Sequence, residues 1–345
     1  MLFLVFGLFY KSQNLKGKAF PVSLLVCSKN EAENLKTHIP LWLAQAHPRF
    51  ELILIDDNST DTTRQVIEQF AAQDERIIPV FVAANERFKS SKKYALTLGI
   101  KKANHMRLVF TDADCAPAST MWLSKMATSF SATKQLILGY GPYSKKTNLV
   151  NPLVRYETFI TALQYFSYAF AGMPYMGVGR NLGYTRLLYD QQKGFSSHMD
   201  VRSGDDDLFV NAAATKENTA LNLDPDTFMY SAPKTSFKHW IQQKRRHVST
   251  ANHYKKKHKI LLGLYYVANF GFWFVLGIYF FSDPIVAATL LIIRLIVQIG
   301  SYLPTALKLK TGSLLVLAPI LELFLICMQL VIFIMNLFST KTAWK

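Results

Sequence analysis

Three long apolar segments close this chain, and they constrain its fold more than anything that precedes them. They run over 260–281, 284–307 and 313–338. Each reaches the roughly 20 residues that an α-helix needs to cross a hydrocarbon core. The last quarter of the chain is therefore expected to be three transmembrane helices.

The charges orient that expectation. A net charge of +16 suits a nucleic-acid binder until it is located. Residues 1–233 carry 25 Lys or Arg against 21 Asp or Glu, residues 234–259 carry nine bases and no acid, and residues 260–345 carry five bases and two acids. The excess sits immediately before the first apolar segment, which fits a membrane surface and not a DNA groove. Lys255-Lys256-Lys257 abuts the first segment, Lys308 and Lys310 lie between the second and third, and only Ser282-Asp283-Pro284 joins the first to the second. The positive-inside rule then expects the N-terminal domain on the cytoplasmic side and the C-terminus outside. Residues 1–10 are apolar but only about 15 Å long as a helix. They are expected to be an interfacial anchor or part of a longer helix. Lys11, Lys16 and Lys18 follow this stretch, whereas a cleaved signal peptide carries its bases ahead of the apolar part. The three cysteines, Cys27, Cys115 and Cys327, are scattered without CxxC spacing, which argues against a disulfide framework or a zinc site and fits a reduced compartment.

Arg294 and Glu322 are the ionisable residues well inside the apolar segments. A charge at mid-bilayer costs roughly 2.5–3.5 kcal/mol on insertion scales. Counted from opposite faces, both fall near the middle of their helices, so an ion pair is expected. Snorkelling of Arg294 to a lipid phosphate is the alternative.

Ahead of the tail, apolar runs at 22–27, 50–55, 77–82 and 107–111 read as strands, and 31–45, about 62–70 and 91–103 read as helices, with Ser59, Thr60 or Asp61 available to cap the second. This alternation predicts an α/β domain with a doubly wound, mostly parallel sheet. Ligands in such sheets bind beyond the carboxyl ends of the strands. The expected organisation is an apolar anchor over 1–19, a catalytic domain over 20–233, a basic juxtamembrane segment over 234–259 and three helices over 260–345.

Both acidic turns of the domain fall at expected strand ends. In Asp112-Ala113-Asp114, two carboxylates one residue apart can grip a hard divalent cation, or they can form an ordinary polar turn. In Asp56-Asp57-Asn58, a carboxylate can accept hydrogen bonds from a ribose or a base edge, or the group can serve only as a turn. Asp205-Asp206-Asp207 repel one another, which favours a raised pKa and a general base. The same acids also suit the positive end of a helix dipole. Gln242 to Arg246 offers donors for a diphosphate, or charges for lipid headgroups.

Taken in order, these features resemble family 2 glycosyltransferases, inverting enzymes of the GT-A fold. Pro21-Val22-Ser23 through Ser28-Lys29-Asn30-Glu31-Ala32 is similar to the family's opening strand and turn. Asp57 matches its nucleotide-contacting acid, Lys92 or Lys93 its helix ahead of the metal strand, and Asp112-Ala113-Asp114 its metal motif. Gly179-Arg180-Asn181 resembles the strand that shapes the sugar site, Asp205 and Asp206 the catalytic-base motif, and Gln242-x-x-Arg245 the Gln-x-x-Arg-Trp signature, with Arg246 in place of Trp. The resemblance implies a nucleotide-diphosphate sugar donor held by Asp57, Lys93, Gln242 and Arg245, and Mg²⁺ or Mn²⁺ on Asp112 and Asp114. It implies Asp205 or Asp206 as base, and an acceptor that is lipid-linked or delivered at the membrane. No nucleic acid and no obligate protein partner are expected. The alternatives are a processive polysaccharide synthase and an inactive scaffold that keeps the nucleotide-binding fold.

Overall fold

The computed structural model describes residues 1–11, 20–83, 92–201 and 203–337. Lys16, Lys18, the expected helix start at Ser91 and the end of the third apolar segment at Phe338 lie outside the described residues. The chain forms two compact units, whose elements are labelled here in chain order.

One unit is built on a sheet. Its strands are β1 (Val22–Ser28), β2 (Phe50–Asp56), β3 (Ile77–Phe81), β4 (Arg107–Asp112), β6 (Leu136–Leu138), β7 (Leu182–Thr185) and β8 (Thr219–Leu221). They lie in the order β3-β2-β1-β4-β7-β6-β8. β7 pairs antiparallel with both β4 and β6, while β1, β2, β3 and β4 run parallel and β6 pairs parallel with β8. Every residue of β1 and β2 is buried. Their apolar runs are continuous because helices cover both faces of a parallel sheet. A short ribbon pairs β5 (Cys115–Pro117) with β9 (Met229–Ser231).

The helices of this unit are α2 (Ala32–Leu43), α3 (Thr63–Ala71), α4 (Lys92–Lys102), α5 (Trp122–Thr128), α7 (Arg186–Gln191) and α8 (Asp207–Ala213). None of the three residues expected to cap α3 is its N-cap, which is Thr62; Asp61 instead shapes the turn ahead of the helix, its Oδ1 accepting from the backbone N–H of Thr63 at 2.9 Å. The parallel order 3-2-1-4 reverses direction between β1 and β4. That reversal opens a crevice beyond their carboxyl ends. The β1 register sets Ser28 beside Asp56 and Cys27 beside Asp112, so both acidic turns leave the sheet at the same edge.

The other unit is helical. It comprises α1 (Leu2–Phe9), α6 (Val150–Phe170), α9 (Phe237–Thr250), α10 (Lys256–Ser282), α11 (Pro284–Lys308) and α12 (Ala318–Leu337). Lys256–Ser282, Pro284–Lys308 and Gly312–Asn336 are long and apolar enough to cross a membrane, as the sequence pattern predicts. Asp283 starts α11 by accepting from the N–H groups of Ile285 and Val286, both at 3.1 Å. The chain enters this unit at Lys145 and leaves it at Ala171, inside the stretch that the pattern assigns to the sheet domain.

α6 buries residues on most of its circumference, which an insertion lying on a sheet surface would not do. Phe6 of α1 is fully buried and stacks on Phe166 of α6. Gly7 lets α1 approach α11 closely, since a Cβ there would stand 2.9 Å from the Pro304 Cβ. Lys308 finishes α1 by donating to the carbonyls of Gly7 and Tyr10 at 2.6 and 2.7 Å. Arg294 and Glu322 form the expected ion pair, at 2.9 Å, and the guanidinium also donates to Asn269.

Candidate active site

The turns that follow β1 and β2 owe their shape to asparagines. Asn30 and Asn58 hold φ values of 55° and 53°, a left-handed conformation that asparagine adopts more readily than other residues with a Cβ. Each turns the chain sharply after its strand. The turns are then joined, with the Asn30 N–H donating to Ser59 Oγ and the Thr60 N–H to Asn30 Oδ1, at 2.9 and 2.8 Å. Asp56 spends a carboxylate oxygen on its own turn, accepting from the Ser59 N–H at 3.1 Å. Asp57 is buried, and its Oδ2 has no hydrogen-bond partner among the described residues. Burial pushes its carboxyl up, with Lys29 opposing and Asp56 adding to the shift. A buried carboxylate oxygen left without a donor is costly. It fits a site that a ribose hydroxyl or a base N–H completes.

On the other side of β1, β4 delivers Asp112 and the following turn delivers Asp114. Among the described residues, Asp112, Asp114 and Cys115 bring their ligand atoms within 4.8 Å of one another. Asp114 is oriented by two donors: Cys115 Sγ to Oδ1 at 3.3 Å and Ser231 Oγ to Oδ2 at 3.2 Å. Burial raises its carboxyl, and the neighbouring Asp112 raises it further. Two adjacent carboxylates that repel each other gain most from a divalent cation between them. The donor set therefore fits Mg²⁺ or Mn²⁺.

Lys92 joins this corner to the acid run. Its Nζ lies 2.9 Å from Asp112 Oδ1 and 2.9 Å from Asp205 Oδ2. Burial works against its charge, but Asp112, Asp205 and Asp206 more than offset that and hold its pKa well above the usual lysine value. Gly204, at φ +96°, makes the turn ahead of Asp205, and a Cβ there would stand 2.5 Å from the Leu208 side chain. Asp206 is engaged differently. It caps α8, accepting from the Asp207 N–H at 2.8 Å, and its other oxygen accepts from the Gly179 N–H at 2.7 Å. Burial, with Asp205 and Asp207 beside it, pushes Asp206 up to about 7.

Lys93 points away from these carboxylates. It is buried and donates to the carbonyls of His198 and Ser203, the latter at 3.0 Å. Burial brings it down to about 8. It anchors the segment that carries Gly204 and Asp205, while its neighbour Lys92 meets the acids. The apolar stripe Ala95, Leu96, Gly99 and Ile100 puts both lysines toward the interior, so helical spacing alone does not separate them.

Asn181 holds the strand behind the site, donating to the carbonyls of Tyr140 and Thr227 and accepting from Trp122 Nε1. Arg180 lies over the Tyr143 ring at 4.3 Å and offers positive charge to Asp114. Gln242 and Arg245 belong to the helical unit. There Gln242 is exposed, and Arg245 Nε donates to Asn336 Oδ1 at 3.0 Å. Sequence reasoning did not single out Ser231 or Cys115. Ser231 is distant in sequence and reaches Asp114 only through the β5–β9 pairing, while Cys115 could have been noted from its place beside the metal motif.

Comparison with known proteins agrees with this geometry. Residues 23–182 match the model of glycosyl transferase family 2. TuaG of Bacillus subtilis, a glycosyltransferase named for teichuronic acid biosynthesis, is 32% identical over 93 residues, which is 27% of this chain and 35% of TuaG. An uncharacterized glycosyltransferase of Nostoc sp. is 33% identical over 94 residues, 27% of this chain and 28% of that one. The chain thus spans about a third of the length of the curated relatives it matches. In fold, it is similar to the mannosyltransferase PcManGT of Pyrobaculum calidifontis, solved with GDP-Man and Mn²⁺. The TM-score is 0.59 at 19% identity, over 93% of this chain and 92% of that one. With acids leaving the sheet on both sides of β1, the stretch from β1 to β7 matches glycosyl transferase family 2.

Proposed function

We propose that this protein transfers a sugar from a nucleotide-diphosphate donor to a hydroxyl of a membrane-associated acceptor, with inversion, at the cytoplasmic face of a membrane. The observation that carries the reading is the double ion pair of Lys92. One ammonium, 2.9 Å from both Asp112 and Asp205, ties the metal corner to the acid run. The group expected to steady the leaving diphosphate and the group expected to take the acceptor's proton therefore share one space.

Asp57 receives the nucleoside through its unpartnered oxygen. Asp112 and Asp114 would hold Mg²⁺ or Mn²⁺, which when bound neutralises charge on the departing diphosphate. Asp205 takes the acceptor's hydroxyl proton as that oxygen bonds to the anomeric carbon. The bond to the diphosphate breaks on the opposite face, so the configuration inverts. Asp205 suits this role better than Asp206, because both oxygens of Asp206 are held by backbone N–H groups. Lys92 balances the acids before the donor arrives and can then turn to the diphosphate oxygens. The family resemblance assigns Gln242 and Arg245 to the donor as well, and Arg245→Ala should then raise the donor KM.

The basic stretch 234–259 ahead of α10 supports the cytoplasmic orientation. The three apolar helices support an acceptor met at the membrane. The test is a panel of nucleotide sugars offered to the purified protein in lipid nanodiscs, with Mn²⁺ or EDTA. Binding of one donor and its Mn²⁺-dependent turnover, with inverted product by NMR, is expected. Absence of binding or turnover across GDP-, UDP-, dTDP- and CMP-linked donors would overturn the reading.

A further inference from the structure

The metal corner contains one group that a site for hard cations does not need. Cys115 is completely buried, directly follows Asp114 and lies opposite Ser231 in the β5–β9 ribbon. Its Sγ is within 4.8 Å of both the Asp112 and Asp114 ligand oxygens, and 3.3 Å from Asp114 Oδ1. Zinc–sulfur and zinc–oxygen bonds are about 2.3 and about 2.1 Å, so donors at tetrahedral angles on one ion lie about 3.5 Å apart. Side-chain movements of about an ångström would bring all three donors onto one ion. A thiol has little to offer Mg²⁺, which demands oxygen ligands. It is a strong ligand for softer ions once its proton is displaced.

We infer that Asp112, Asp114 and Cys115 form a mixed oxygen–sulfur site that captures soft divalent cations such as Zn²⁺, Co²⁺ and Cd²⁺ with Cys115 as a direct ligand. With Mg²⁺ or Mn²⁺ present, Cys115 serves only to hold Asp114. The inference rests on the reading of Asp112 and Asp114 as metal ligands. The exchange is a ligand substitution without redox change: a sulfur–metal bond would form as a water–metal bond breaks, and the thiol proton leaves to water. A soft ion held by three protein groups has fewer positions left for a diphosphate. Zn²⁺ is therefore expected to inhibit transfer supported by Mn²⁺.

The test is spectroscopic and independent of turnover. Co²⁺ is titrated into the full-length protein in detergent, and thiolate-to-cobalt charge-transfer absorption is recorded for the wild type, Cys115→Ser and Cys27→Ser. Mn²⁺ binding is followed in parallel by electron paramagnetic resonance. The expected result is a saturable band in wild type and Cys27→Ser that is absent in Cys115→Ser. Zn²⁺ competition with Mn²⁺ should weaken at least about tenfold in Cys115→Ser, while Mn²⁺ affinity changes less than about twofold. Mn²⁺ binding without a cobalt band in the wild type would overturn this inference and leave the metal reading standing. A band that survives in Cys115→Ser would overturn it too. Failure of Mn²⁺ to bind the wild type would overturn both.

Discussion

In the sheet unit, Lys92 faces Asp112 and Asp205, with Asp206 also contributing to its field. In the helical unit, Arg294 faces Glu322 at 2.9 Å, with Asn269 as a neutral companion. Both are partly buried clusters of charge, but their balance differs. The first sets several acids against one lysine, and Asp114 carries a raised carboxyl beside it. The second sets one acid against one base. An apolar helix bundle offers no water to pay for an unmatched charge, so it matches the charges one to one. A strand-end crevice can leave negative charge in excess, and that excess is a demand for a cation. Charge imbalance, more than burial, separates the proposed metal site from the ion pair of the helices.

The largest expected effect attacks that imbalance. Asp114→Asn removes a charged ligand while keeping an oxygen that Cys115 or Ser231 can address. Metal stabilisation of a leaving group is worth several kcal/mol. Transfer should therefore fall by about 10³-fold or more, with the thermal unfolding temperature near that of the wild type. Excess EDTA should do the same to the wild-type protein. Near-normal transfer in the variant would put the metal elsewhere, near-normal transfer in EDTA would mean that transfer needs none, and either would remove the contrast between the clusters.

The next effect divides the acids among themselves. Asp205→Asn should lower turnover by about 10²-fold, as loss of a general base does. Donor affinity by calorimetry should stay the same, because the base acts on the acceptor. Asp206→Asn should leave turnover within a few-fold, since the asparagine oxygen can still accept from the Asp207 N–H that opens α8, while the bond from the Gly179 N–H is lost. Reversal of this order would make Asp206 the base and Asp205 a partner for Lys92 alone.

Much of this contrast was legible in the sequence, for definable reasons. Continuous apolar runs mark β1 and β2, because a strand covered on both faces has no polar side to show. The length of the last three segments marks them as spans, and two lone charges inside them mark the Arg294–Glu322 pair. The strand-end placement of Asp57, Asp112 and Asp114 is legible because the apolar runs ahead of them mark where β2 and β4 stop. What was not legible depends on which way a side chain turns once the backbone is set. Lys92 and Lys93 are neighbours on one inward stripe. Asp205 and Asp206 are neighbours on one turn, and their roles are separated by backbone N–H groups that a sequence does not show. Residues 145–171 contain a helix whose apolar residues encircle it, and composition does not say which unit it completes.

The helical cluster yields the third effect. Arg294→Leu or Glu322→Leu leaves the partner charge unmatched in an apolar bundle, where it costs roughly 2.5–3.5 kcal/mol. Each single variant should give a lower yield and a lower unfolding temperature in detergent. The double variant should recover most of the loss, since removing both charges leaves none to solvate. Losses that add in the double variant would show that the two residues act independently, and the one-to-one balance would no longer distinguish the helical cluster.

The smallest effect is a pH dependence confined to the sheet unit. Asp206 is pushed up to about 7 from an ordinary 3.8 by burial and by Asp205 and Asp207. The folded protein therefore holds this proton more tightly than the unfolded chain does. Stability from this source is fully present below about pH 4, falls as pH rises toward about 7, and is flat above that. After discounting for the water that reaches this half-buried residue, the loss should be about 1–2 kcal/mol. Asp206→Asn keeps the cap and removes the titration. In EDTA, the variant and wild type should unfold at different temperature offsets at pH 5 and pH 8, with the variant relatively more stable at pH 8. Asp57 and Asp114 titrate in both proteins and cancel in the comparison. Parallel stability profiles across that range would mean that Asp206 ionises normally, and that the hydrogen bonds from Gly179 and Asp207 offset its burial.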